Sequence, residues 1–102
     1  MTLNPVDDAY VAGDNAGANF GQAVDLVSDS SPIRESYMKF NLQSLGGANI
    51  TLARLRMFVT NGSGGVQSLK LVSDNGWTEG TLSYANRPTK GATITTFTPN
   101  VS

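Results

Sequence analysis

The chain has 102 residues, a formal net charge of −1, 15% charged and 39% hydrophobic residues, and neither cysteine nor histidine. That length predicts one small two-layer domain, and near-neutrality leaves no global field to draw nucleic acid or an anionic membrane surface. Without cysteine and histidine there are no disulfides, no thiol chemistry, no usual general base and no usual metal ligand, so no cofactor is expected.

Abundant Gly, Thr, Ser, Val and Asn favour strands and turns over helices. Residues 8–11 predict a first short strand. The loop 13–21, GDNAGANFG, is too rich in Gly and Asn for helix or strand. Its acidic and amide side chains lack the one-three-five spacing and closing glutamate of a calcium loop, so they are read as capping their own turns. Residues 24–27 predict a second strand, ended by the Ser/Pro-rich loop 28–32.

Residues 36–42 alternate, with Met38, Phe40 and Leu42 expected to face the core and Tyr37, Lys39 and Asn41 the outside. Leu45-Gly46-Gly47 then turns the chain. Residues 50–60 predict a fourth strand, with Ala53, Leu55, Met57 and Val59 on one face and Arg54, Arg56 and Phe58 on the other. The loop 61–65 reads as a hairpin into a fifth strand over 66–73. No apolar run reaches the roughly 18 residues of a membrane span, and the N-terminus lacks a signal-peptide pattern.

The most informative stretch is DNGWTEGTLSYANRP, residues 74–88. Asn75-Gly76 suits a tight turn, Thr81 to Tyr84 alternates as a short strand, and Pro88 stops the ladder. Trp77, the only tryptophan, reads first as a core plug at a corner and second as a sugar-stacking platform. Glu79 is expected to accept backbone N–H bonds there rather than do chemistry. With no histidine beside any serine and no carboxylate pair outside turn contexts, an enzyme is not expected. The last strand-prone run, 92–98, is uncharged and nearly all β-branched.

This block, with DDAYVAGDNAGANFGQAVDLVSD, ESYMKFNLQSL and ITLARLRMFVTNGSG before it, resembles the DNRLRE-domain family. The resemblance implies an extracellular or cell-surface antiparallel β-sandwich of jelly-roll-like kind, and a module of which some relatives bind acidic polysaccharides such as alginate. It also matches Asn19-Phe20-Gly21 and Lys39 to family positions, whereas Asn41 stands where the family usually has Asp. If the third and fourth strands share a sheet, alternation sets Tyr37, Lys39, Asn41, Arg54, Arg56 and Phe58 on its outer side as a basic and aromatic candidate site, with Lys70 extending it. Arginine grips carboxylates bidentately, and an aromatic face stacks on a sugar ring. The plainer reading is a solvated outer face that binds nothing.

Family domains continue past Asn-Arg-Pro with further strands, whereas residues 89–102 supply one here. The sandwich is therefore expected to be incomplete without a partner: a second copy, or other domains of a parent protein, adding a strand to an exposed edge. Two functions follow. One is a non-catalytic carbohydrate-binding module; the other is a structural subunit of a fibre, stalk or particle.

Overall fold

The computed structural model describes residues 2–47, 49, 53–57, 59 and 65–99. Among them the chain is all-β and antiparallel, with one short 3-10 turn and no α-helix. This is the expected fold class and is compatible with a β-sandwich. The chain divides into two compact units, one of residues 1–41 and 72–90, the other of residues 42–71 and 91–102.

The first unit holds a three-stranded sheet in the order β1-β3-β2, where β1 is Asp7–Ala12, β2 Asp29–Ser30 and β3 Ile33–Lys39. β1 pairs antiparallel with β3, setting Asp7 opposite Lys39, Ala9 opposite Tyr37 and Val11 opposite Glu35. Ala9 and Val11 lie two residues apart, so they share a face and are both buried. With Tyr37 and Leu82 they form the core, and Val72, Trp77 and Tyr84 pack against it half-buried. Tyr10 points to the other face, where its ring stacks on Phe20 at 4.3 Å.

Two expectations are corrected here. Tyr37 faces inward, only 5% exposed, while Met38 and Phe40 are half-buried and Leu42 is exposed. Tyr37 fits inside because its ring meets Trp77 edge-on at 5.9 Å and its hydroxyl reaches the Pro88 carbonyl at 3.5 Å. The charged residues two positions either side, Glu35 and Lys39, share its face and are neutralised by partners at the core's rim. Residues 24–27 are not a strand, and Val24 is 97% exposed. The strand lies just beyond, at Asp29–Ser30, which turns through Ser31-Pro32 (a cis peptide) to pair with Ile33 and Arg34.

In the second unit, the 3-10 turn Gln43–Leu45 ends at Gly46, whose φ of 57° is the left-handed value that glycine adopts without steric cost. That is the turn expected of Leu45-Gly46-Gly47. β4, Gln67–Lys70, pairs antiparallel with β5, Thr93–Phe97, with a register shift between Leu69 and Lys70. Both fall inside the expected runs. Residues 53–57 of the expected fourth strand are exposed and not in a strand, and residues 50–52, 58, 60 and the loop 61–64 lie outside the described residues.

Candidate carbohydrate site at the Trp77 corner

Residues 74–88 form the corner that the sequence suggested, built from side chains bonded to backbone rather than from a strand. Asp74 Oδ1 accepts the Gly76 N–H at 2.8 Å, closing the first turn. The amides of Thr81 and Leu82 both donate to the Thr78 carbonyl, at 3.2 and 3.0 Å. Asn86 locks the second turn: its Oδ1 accepts the Ser83 N–H at 2.7 Å and its Nδ2 donates to the Thr81 carbonyl at 2.8 Å. Residues 81–84 therefore form turns, not the expected strand, because their backbone groups are taken by Thr78 and Asn86.

Three clasps hold the corner to the sheet and to the loop 13–21. Asp7 Oδ1 accepts the Glu79 N–H at 3.0 Å, while Glu79 Oε1 accepts the Asp8 N–H at 3.4 Å, so Glu79 does hold the corner, and to β1. Asn19, from the loop 13–21, donates its Nδ2 protons to the carbonyls of Glu79 and Leu82 at 2.7 and 2.8 Å. Lys39 Nζ donates to the carbonyls of Asn75 and Trp77 at 3.0 and 2.6 Å and pairs with Asp7 Oδ2 at 3.2 Å. It also lies 5.0 Å from the Trp77 ring centroid, in cation–π range. An ammonium has three protons, and these three partners use all of them.

A fourth cluster closes the far end. Arg87 stacks on the Tyr84 ring at 3.6 Å and donates to the Tyr84 carbonyl at 2.7 Å. Glu35 is held by Lys90 through one carboxylate oxygen. Its other oxygen, buried and outside hydrogen-bond geometry, faces Arg87 Nε at 3.3 Å. In the loop 13–21, Asp14 pairs with Arg34 at 2.6 Å.

Within this frame is a cleft of about 270 Å³. Buried Leu82 and Pro88 form its apolar lining; Trp77 and Thr81 line it further, and Asp74, Gly76 and Asn86 add its polar edge. Trp77 thus meets both readings of it, packing on the core and lining an open cleft. A concave, partly apolar surface with a few fixed polar groups is the usual form of a small-ligand site.

The residues expected to form the site are distributed as follows. Tyr37 is buried behind Trp77, and Lys39 is spent on the corner, so these two converge on Trp77 from within. Asn41 is exposed at the end of the first unit. Arg54 and Arg56 are exposed in the second unit, as is Lys70, and Phe58 lies outside the described residues. Asp74, Thr81 and Asn86 were not expected as site residues. Their signal was the density of turn-forming side chains around a lone tryptophan, which reads equally well as a core corner.

The ionisable groups of the corner predict its pH response. The Glu79 N–H and then Lys39 hold the Asp7 carboxyl below its ordinary 3.8. A lowered folded-state value means that the stabilisation is present above 3.8 and is lost as pH falls through the folded value. Burial is the main cause that pushes Tyr37 from 10 up to about 12. Its contribution is full below 10 and is lost as pH rises towards 12. Urea midpoints measured against pH should therefore fall at both ends. Asp7→Asn should flatten the acid limb and Tyr37→Phe the alkaline limb; unchanged limbs would show that these groups do not couple to folding.

Over residues 1–102 the chain matches the profile of carbohydrate-binding module family 96, and it belongs to that family. The resemblance to DNRLRE domains thus holds at the coarser level, that of a carbohydrate-binding module. The chain is also similar to a gellan lyase from a Bacillus species, 34% identical over an alignment 101 positions long that covers 92% of this chain and 4% of the lyase. It therefore spans a small part of that relative's length.

Proposed function

We propose that the protein is a non-catalytic, extracellular or cell-surface module that binds polysaccharide, with one sugar unit seated in the Trp77 cleft. The observation that carries this reading is a half-buried tryptophan, braced by Tyr37 and Lys39, lining a cleft whose edge bears Asp74 and Asn86. Bracing matters because a ring already held in place loses little freedom when a sugar stacks on it. Membership of a carbohydrate-binding family supports the same reading.

A preference for acidic polysaccharide rests on Arg54 and Arg56, which are exposed and make no ion pair among the described residues. Both stay available to carboxylates, unlike Lys39. Affinity electrophoresis through gellan, alginate and neutral glucans tests this. Retardation by an acidic polymer should fall as salt rises, since exposed charges are screened over about 8 Å at physiological ionic strength. The Arg54→Ala/Arg56→Ala pair should weaken it by roughly tenfold, two exposed charge contacts being worth about 1 kcal/mol or somewhat more. No retardation by any polymer would end the binding reading, and salt-independent retardation the acidic one.

A second reading, a structural subunit joined by strand addition, is favoured by the second unit. There β4 and β5 form a two-stranded sheet among the described residues, and Val66, Leu71 and Ile94 are 70%, 59% and 56% exposed. The mass in solution decides it, with a stable monomer ruling it out.

A further inference from the structure

Resting on the reading of the Trp77 cleft as a sugar site, we infer that the unit it takes is a neutral pyranose, even within an acidic polymer. The charge of the lining is the reason. Of the seven residues around the cleft, Asp74 is the only charged one, and it is a carboxylate. Lys39, whose ammonium lies over the tryptophan ring, has all three protons committed to Asn75, Trp77 and Asp7. A uronate seated here would meet a like charge with no cation among the described lining residues to offset it, and a like-charge juxtaposition is a strong discriminator against a ligand.

The polar groups that remain are those a neutral sugar uses. Asp74 is oriented by its Oδ1 bond from the Gly76 N–H, which leaves Oδ2 to accept protons from sugar hydroxyls. Hydroxyl-to-carboxylate bonds are short and strong compared with neutral ones. Asn86 Nδ2 spends one proton on the Thr81 carbonyl and keeps the other, so it serves a hydroxyl or ring oxygen as a donor. An acceptor, a donor and an aromatic surface together match the hydroxyl edge and C–H face of an uncharged pyranose. Carboxylates of the same polymer have other cations to meet, since Arg54, Arg56, Lys70 and Lys90 are all exposed.

Trp77 is the only tryptophan, so its emission reports this cleft alone. The test titrates the whole chain with neutral tetrasaccharides of glucose, mannose, galactose and xylose, and with tetragalacturonate. At least one neutral tetrasaccharide should shift Trp77 emission, at least about tenfold more tightly than tetragalacturonate. Asp74→Asn, which keeps the oxygen that accepts the Gly76 N–H, should shrink that ratio to within about threefold by removing the repulsion. Tighter binding of tetragalacturonate, or emission that no neutral sugar moves, overturns the inference. Retardation in polysaccharide gels with silent Trp77 emission also overturns it while leaving the module a polysaccharide binder; loss of both would remove the binding reading itself.

Discussion

Gly21→Ala is expected to destabilise the first unit by about 3 kcal/mol, the upper end of the usual cost of overpacking. A methyl group at Gly21 would overlap the Glu79 carbonyl oxygen and lie 2.7 Å from its carbon. Both are backbone atoms, so no rotamer change relieves the overlap. Nor is Glu79 free to retreat: its N–H is bonded to Asp7 and its carbonyl to Asn19. Any shift would therefore loosen two clasps that hold the corner to β1 and to the loop 13–21. Against a typical total of about 5–15 kcal/mol for a domain, such a loss shows plainly in a urea midpoint. Gly17→Ala is the control, since nothing lies within 4 Å of its added methyl group, and it should stay within about 0.5 kcal/mol. Equal stability of the two variants would mean that the loop and the corner do not approach so closely.

The other large effect is expected at Leu82. It is 1% exposed and packs with Ala9, Val11 and Tyr37, so Leu82→Ala removes packed methyl groups and leaves a void in a core of few residues. The expected cost is about 2–5 kcal/mol. Leu82 also lines the cleft, so the same change should weaken sugar binding at temperatures where the protein is still folded. Leu71→Ala provides the contrast, because Leu71 is 59% exposed and its loss should stay within about 0.5 kcal/mol. Denaturant curves for both variants, read beside Trp77 emission, separate loss of the core from loss of the cleft. A Leu82→Ala protein as stable as the parent would show that the core lies elsewhere.

The class of fold, the location of its corner and several of its turns were legible in the residues alone. β-branched and Gly/Asn-rich segments limit a chain of this length to strands and turns, and β1, β4 and β5 lie close to where alternation or β-branching placed them. Gly46-Gly47 marked a turn because no other residue enters left-handed backbone so cheaply. Asn19-Phe20-Gly21 matched a family position and Asn19 read as capping its own turn, which its acceptance of the Gly21 N–H does, but the corner that its amide clasps was not legible. Its partners, Glu79 and Leu82, are about sixty residues away, and only folding brings them together.

Which face of β3 is buried depends on contacts made far along the chain. Period-two reading ranks Met38, Phe40 and Leu42 above Tyr37, with its charged neighbours Glu35 and Lys39, as core residues, because it counts each side chain's cost alone. Lys39 meets Asp7 and two carbonyls at the corner, and Glu35 meets Arg87 and Lys90. Those partners lie from 32 to 55 positions away and offset the cost of turning the charges towards the core. The same long-range pairing makes Lys39 a brace of the corner. Among the described residues that line the cleft beside Trp77 there is a carboxylate, Asp74, and no cation, a balance that local spacing does not reveal.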